Sequence, residues 1–134
     1  KKYDNKTELI SVIYGTNNLV NDVQNLYLQE FENARIEYNN KQTREDRKIQ
    51  NYLEHISENS NRDLCCELII ELGDMNFWQD KTKEYCYKMV QVYKEQLQDF
   101  VTTVPQFKIA NAVIHFDETS PHLHIIGIPI KERI

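Results

Sequence analysis

The sequence is poor in the residues and segments that mark membrane, secreted and low-complexity proteins. Its 134 residues include only three glycines, three prolines and three cysteines. No segment reaches the roughly 20 apolar residues of a membrane span, and the first residues, KKYDNKTELI, lack the apolar core of a secretory signal. Cys65, Cys66 and Cys86 form neither an even disulfide set nor a C-x-x-C zinc spacing. We therefore expect a cytoplasmic globular protein with no membrane partner and with buried, reduced thiols.

The charge balance bears on nucleic-acid binding. The formal net charge is −5, which disfavours a broad phosphate-binding surface because phosphate contacts need Lys and Arg. Local basic segments can coexist with an acidic total, and the candidates are Lys41–Lys48 and the pair Lys131 and Arg133. Such segments are more often solvated faces than binding sites.

Length and the two ends define the expected domain organisation. A chain of 134 residues can form one domain with its own core. We expect a helical region over residues 1–60 and a strand–helix–hairpin region over residues 62–134. The chain begins with Lys rather than Met and ends at KERI, directly after a predicted strand. These ends predict a fragment of a longer protein, and the sequence indicates no oligomeric state.

Apolar residues recur at helical spacing in two parts of the first region. After a cap expected at Thr16, one helix carries a stripe at Val20, Val23, Tyr27, Phe31, Ala34 and Tyr38. A shorter helix carries apolar residues at Ile49, Tyr52, Leu53 and Ile56. The fourth histidine, His55, lies on this shorter helix, where we expect a surface or partly packed residue.

The apolar period then changes to that of a strand. Between Leu64 and Leu72 the even positions are apolar, and Glu67 and Glu71 lie on the odd face, which predicts a half-buried strand. A long helix is expected within residues 76–101, with a stripe at Tyr85, Met89, Tyr93, Leu97 and Phe100. With a terminal hairpin, the order α–α–β–α–β–β predicts an α+β fold: a small antiparallel or mixed sheet with long helices packed on one face.

The terminal hairpin contains most of the histidines that could bind a metal ion. Three of the four histidines, His115, His122 and His124, fall within ten residues. The flanking segments IANAVIHF and LHIIGIPI are β-prone, and the polar residues between them predict a turn. If the turn is centred between residues 118 and 119, His115 lies opposite His122. All three imidazoles then project from one open face of the sheet.

The same register makes two further predictions. Phe116, Leu123 and Ile125 project from the other face of the sheet, into the core. The connecting turn places Glu118 where it can reach over the histidine face as an oxygen ligand. Three imidazoles with one carboxylate suit Mn²⁺, Zn²⁺, Ni²⁺ or Fe²⁺, whereas Mg²⁺ is the least natural partner for three nitrogens.

The spacing H-x-D-E-x-x-P-H-x-H resembles the signature of the plasmid mobilisation and recombination (Mob/Pre) relaxases of the HUH endonuclease superfamily. The signature is complete here, in His115, Asp117, Glu118, Pro121, His122 and His124. A weaker resemblance extends back to about Arg62, and little specific similarity is visible in the first sixty residues.

The resemblance implies a bacterial, cytoplasmic enzyme that nicks single-stranded DNA at an origin of transfer, with mobilisation accessory proteins as further partners. His115, His122 and His124 would bind a divalent cation, Mn²⁺ or Mg²⁺. Glu118 would complete or orient the ligand set, and Asp117 would fix a histidine tautomer. A protein nucleophile would attack the scissile phosphodiester and form a covalent protein–DNA intermediate.

The nucleophile is not identified by the sequence. Many HUH enzymes use tyrosine, whereas Mob/Pre relaxases carry a histidine in an N-terminal motif that is not visible here. Helix packing is the expected role of most tyrosines, namely Tyr3, Tyr14, Tyr27, Tyr38, Tyr52, Tyr85 and Tyr93, whereas Tyr87 lies off the apolar stripe of its helix. Two alternatives therefore stay open: a metal-dependent hydrolase in which water replaces the protein nucleophile, and a non-catalytic, metal-stabilised DNA-binding or interaction module.

Overall fold

The computed structural model describes residues 10–58, 61–116 and 120–131. The elements in chain order are strand β1 (Ile10–Tyr14), helix α1 (Leu19–Asn40), a 3-10 turn (Glu45–Arg47), helix α2 (Tyr52–Ser57), strand β2 (Cys66–Glu71), helices α3 (Met75–Trp78) and α4 (Lys83–Thr103), and strands β3 (Phe107–His115) and β4 (His122–Pro129). Within the residues described, no helix is both long enough and apolar enough to cross a membrane.

The strands form one open antiparallel sheet in the order β1-β3-β4-β2. The two longest strands, β3 and β4, therefore lie in the centre, and the two shorter strands form the edges. This arrangement confirms the predicted α+β class and the antiparallel form of the sheet.

Helix α4 covers one face of the sheet and builds the larger core cluster. Its Tyr93 and Leu97 pack against the side chains of β3 and β4 that point to this face, namely Ile109, Ala112, Ile114, Leu123 and Ile125. The largest of these side chains are fully buried. The stripe predicted for this helix is confirmed at its centre, while Tyr85 near its start is exposed.

Helices α1 and α2 pack on the opposite face, at one end of the central strands. Val23, Leu26 and Tyr27 of α1 and Ile56 of α2 form a second cluster with Ala110, Ile126 and Ile128. Ile126 shares its face with His124, because both lie on β4 two residues apart. The long helices therefore divide between the two faces, which differs from the one-sided packing expected, and the histidine end of the second face remains open.

Strand β1 is an element that the predicted order lacks. Residues 1–60 are therefore not wholly helical, because Ile10–Tyr14 pairs with β3 as an edge strand. The segment ISVIY is short, and its side chains alternate between exposed and half-buried. The predicted helix cap was also wrong: Asn18, not Thr16, caps α1 by accepting a hydrogen bond from the Asn21 amide.

A buried polar cluster ties the β1–α1 loop to the centre of the sheet. Asp22 is 7% exposed, and its carboxylate accepts hydrogen bonds from the Thr16 amide at 2.8 Å, the Thr16 hydroxyl at 2.9 Å and the Asn111 side chain at 2.9 Å. Asn111 also donates to the Thr16 carbonyl oxygen at 2.8 Å. Burial alone would raise the pKa of Asp22, but these hydrogen bonds outweigh it and lower the pKa.

This cluster makes the stability of the domain depend on acid pH. Because folding lowers the pKa of Asp22, the ionised carboxylate stabilises the fold above its unfolded pKa of about 3.9, and this contribution is lost as the pH falls through the folded value. We expect Asp22→Asn to lower the free energy of unfolding at pH 7 by about 1.5–3 kcal/mol and to flatten its pH dependence below about pH 4. Urea unfolding at several pH values measures both effects.

The matched control is Asp46→Asn, since Asp46 is an exposed carboxylate paired with Arg44. Exposed pairs contribute about 0–1 kcal/mol, so this variant should unfold like the unmodified protein. An Asp22→Asn protein with unchanged stability at pH 7 would show that the buried cluster does not stabilise the fold.

Candidate metal centre on the β3–β4 hairpin

The register of the central hairpin brings the three histidines to one face. His115 pairs with His122, Val113 with His124, and Ile114 with Leu123, which confirms the predicted register. Paired residues on antiparallel strands project to the same side, so the imidazoles share one face. Leu123 and Ile125 are fully buried on the other face, and Phe116 packs against the same cluster, as predicted.

The three imidazoles lie close together. The ring centroids of His115 and His124 are 4.1 Å apart, and those of His122 and His124 are 6.2 Å apart. The side chains of His122 and His124 are 16% and 18% exposed. The cluster is thus sheltered by the sheet but accessible from solvent.

Edge strand β2 adds two carboxylates to this face. Glu71 pairs with His122 in the β2–β4 register, and its Oε2 lies 3.2 Å from His122 Nε2. Glu67 Oε1 lies 3.6 Å from His124 Nδ1, too far for a hydrogen bond. The strand period assigned both glutamates to one face, but the sequence carries no signal that this strand pairs with the histidine strand.

The chemistry of the cluster suits a metal ion in one specific respect. His124 Nε2 is buried and makes no hydrogen bond with any residue that the structure describes. A buried imidazole nitrogen without a partner is costly, and a metal ion satisfies it because neutral imidazole is a common ligand.

The histidines are clustered but not preassembled as ligands. Among residues 10–58, 61–116 and 120–131, no set of three or more His, Cys, Asp or Glu side chains is arranged to hold a metal ion. Asp117 and Glu118, predicted to support and complete the ligand set, lie outside the described residues. Binding of one metal ion by this cluster would therefore require rotation of some of these side chains, which leaves the paired backbone unchanged.

An open groove of about 600 Å³ begins at the histidines. Its walls are His115 and His124 at one end, the polar residues Thr16, Asn17 and Asn111 at the other, and apolar side chains that include Ile10, Val12, Val113 and Ile126 between them. Because the groove lies beside the imidazoles, a substrate bound in it would contact this face of the sheet. Strand β1, absent from the predicted elements, supplies one wall of the groove.

No tyrosine within the described part of the chain lines this groove. The hydroxyl of Tyr93 is buried and donates to the Pro121 carbonyl oxygen at 2.9 Å, and burial raises its pKa. Tyr27 donates to the Leu64 carbonyl oxygen, and burial also raises its pKa. These contacts support packing roles for Tyr27 and Tyr93. Four other tyrosines are exposed, namely Tyr14, Tyr38, Tyr85 and Tyr87, and Tyr3 lies outside the described residues.

The other residues that the sequence singled out are the basic segments, His55 and the cysteines. Within the described residues, none of them lines the groove beside the histidines. Lys41–Lys48 contains two internal ion pairs, Arg44 with Asp46 and Lys48 with Glu45, which reduces its value as a phosphate-binding segment. His55 is exposed and stacks on Tyr52. Cys66 is exposed rather than buried, and Cys65 and Cys86 are half-buried. Of the basic end, Lys131 is exposed and Arg133 lies outside the described residues.

Comparison with known proteins gives one match. The profile of the Mob/Pre family, described as plasmid recombination enzyme, matches residues 14–133. No curated protein and no solved structure matches the chain significantly. The match spans most of the chain and includes both central strands and all three clustered histidines.

Proposed function

The chain belongs to the Mob/Pre family of plasmid recombination enzymes, and from this premise we propose that it is a metal-dependent relaxase. In this proposal it nicks single-stranded DNA at a plasmid or mobile-element transfer origin by transesterification. The observation that carries the proposal is the convergence of His115, His122 and His124 on one open face.

The residues that would hold the cation are His115, His122 and His124, with Glu118 completing the set and Asp117 fixing a histidine tautomer. A divalent ion bound there would act as a Lewis acid on the scissile phosphodiester. The bound cation is Mn²⁺ or Mg²⁺ in this proposal, and nitrogen ligands favour Mn²⁺. Within the described residues, the buried His124 Nε2 has no hydrogen-bond partner, which supports a cation bound at this atom.

The proposed reaction exchanges the scissile phosphodiester bond for a covalent bond between the protein and the phosphate. A protein nucleophile attacks phosphorus and forms a bond to the 5′-phosphate, while the bond to the 3′-oxygen breaks and this oxygen leaves as a 3′-hydroxyl after taking a proton. No bond energy is lost to water, so the strand can be rejoined. The groove beside His115 and His124 would present a single strand to the histidines.

A second candidate function is a non-catalytic, metal-stabilised DNA-binding or interaction module. The net charge of −5 and the internal ion pairs of Lys41–Lys48 favour it. It requires no nucleophile, and no tyrosine of the described residues lines the groove. A hydrolase in which water replaces the protein nucleophile is the remaining enzymatic alternative.

One assay separates the three functions. The protein is incubated with Mn²⁺ and a pool of random single-stranded oligonucleotides labelled at the 3′ end, with an EDTA-treated sample as control. A relaxase transfers the 3′ label to a protein band that survives SDS, and it leaves 5′ fragments that a polymerase can extend. Cleavage without labelled protein would indicate the hydrolase, and DNA retention without cleavage would indicate the binding module.

A further inference from the structure

We infer that Glu71 is a positioning residue that fixes the orientation and tautomer of His122, and that Ser120 holds Glu71 in place for this task. The inference rests on the proposed function, in which His122 is a metal ligand. Glu71 lies outside the histidine motif by more than forty residues of sequence, and its role follows from the pairing of β2 with β4.

Each carboxylate oxygen of Glu71 has its own partner. Oε1 accepts a hydrogen bond of 2.7 Å from the Ser120 hydroxyl, and Oε2 lies 3.2 Å from His122 Nε2. Ser120 is 2% exposed, so its hydroxyl is shielded from water, although the Glu71 side chain is 43% exposed. One side chain of the edge strand thus joins the end of the hairpin turn to the first residue of β4.

The second contact selects one form of the imidazole. A carboxylate accepts hydrogen bonds but does not donate, so it favours the tautomer of His122 in which Nε2 carries the proton. The lone pair of the neutral ring then resides on Nδ1. A hydrogen bond from the other ring nitrogen also fixes the ring plane and raises the basicity of a ligating histidine.

The backbone of residues 120–122 is also held by a contact from the opposite face of the sheet. Tyr93 of α4 donates its hydroxyl hydrogen to the Pro121 carbonyl oxygen at 2.9 Å. Residues 120–122 are therefore anchored by a tyrosine below the sheet and by a glutamate above it. Two anchors on one short segment limit the freedom of the first histidine of β4.

Glu67 provides an internal comparison. It lies on the same face of β2, and its carboxylate is 3.6 Å from His124 Nδ1, beyond hydrogen-bonding distance. No hydrogen bond comparable to the one from Ser120 is found for it within the described residues. We therefore assign the positioning role to Glu71 and use Glu67 as the matched control.

The first test needs no metal. Nitrogen-15 NMR of the imidazoles in the metal-free protein at pH 8 reports which ring nitrogen of His122 carries the proton. We expect the Nε2–H form in the unmodified protein and in Glu67→Gln, and a mixture of tautomers in Glu71→Gln. An Nδ1–H form in the unmodified protein, or an unchanged His122 signal in Glu71→Gln, would overturn the inference.

The second test measures the effect on the metal. Loss of a hydrogen-bond partner of a ligating histidine typically costs 10–100-fold in metal affinity, and we expect a loss in this range for Glu71→Gln in a Mn²⁺ titration. Equal affinities of Glu71→Gln and the unmodified protein would contradict the inference. A loss as complete as that in His122→Ala would instead make Glu71 a direct ligand.

Two further outcomes keep the tests independent. If the unmodified protein binds no Mn²⁺, the metal site of the proposed function fails, while the NMR experiment still decides the role of Glu71. If Glu71→Gln does not fold, Ser120→Ala takes its place, because it loosens the carboxylate without removing its charge. We expect Ser120→Ala to broaden the tautomer distribution of His122, and an unchanged distribution would overturn the inference.

Discussion

Replacing Leu123 with Ala should destabilise the domain by about 2–5 kcal/mol, the usual range for a fully buried leucine. Leu123 is 0% exposed and belongs to the cluster that joins α4 to β3 and β4. The truncation removes apolar contacts and leaves a cavity in the centre of the sheet, where the strands are paired on both sides and cannot easily close it. Urea unfolding followed by circular dichroism measures the loss.

The adjacent residue provides the control for this prediction. His122→Ala truncates a side chain of the same strand on the opposite, open face. The metal-free variant should unfold within about 1 kcal/mol of the unmodified protein, because it loses one polar contact with the exposed carboxylate of Glu71. A Leu123→Ala protein as stable as His122→Ala would mean that the two faces of the hairpin are assigned the wrong way round.

In the proposed relaxase reaction, replacing His124 with Ala should lower the rate of Mn²⁺-dependent DNA cleavage by about 10²–10⁴-fold. Lewis-acid stabilisation in phosphoryl transfer is worth several kcal/mol, and about 1.4 kcal/mol corresponds to a factor of ten in rate. The ring of His124 lies close to those of His115 and His122, so its loss disrupts the proposed ligand set. Single-turnover cleavage of labelled DNA measures the effect.

His55→Ala is the matched control, because His55 is exposed on α2 and stacks only on Tyr52 among the ring contacts described. It should cleave at the rate of the unmodified protein. Cleavage by His124→Ala at that same rate would remove the histidine cluster from the reaction, whatever its effect on stability.

The hairpin was the part of the fold most fully predictable from the sequence. Two apolar segments flanking a polar turn define the strands, and the period of two then fixes which residues share a face. A turn centred between residues 118 and 119 was sufficient to place His115 opposite His122, and the structure has this pairing. Local patterns sufficed because the partners are close in sequence.

The remainder depends on contacts between distant segments. Glu71 approaches His122 only because β2 pairs with β4, and Asp22 is held by Asn111, 89 residues away. Strand β1 is a short edge strand with few buried side chains. Apolar residues occupy its exposed positions as well as a half-buried one, so its sequence does not show the apolar–polar alternation of a half-buried strand.

A register shift within β3 is a further feature of the fold that the apolar pattern conceals. The β3–β4 register shifts between Ile109 and Asn111, so Ala110 is an extra residue. Before the shift odd positions such as Ile109 face α4, and after it even positions such as Ile114 do. Ala110 itself joins the cluster under α1. A bulge of one residue cannot be located by periodicity alone.

The most direct test of the proposed metal centre is a calorimetric titration of Mn²⁺ into the metal-free protein, beside the double variant His122→Ala/His124→Ala. The histidine cluster predicts one Mn²⁺ per chain in the unmodified protein and no measurable binding in the variant, with both proteins folded by circular dichroism. The absence of binding in both proteins, or equal binding in both, would contradict the proposal that these histidines form a metal centre.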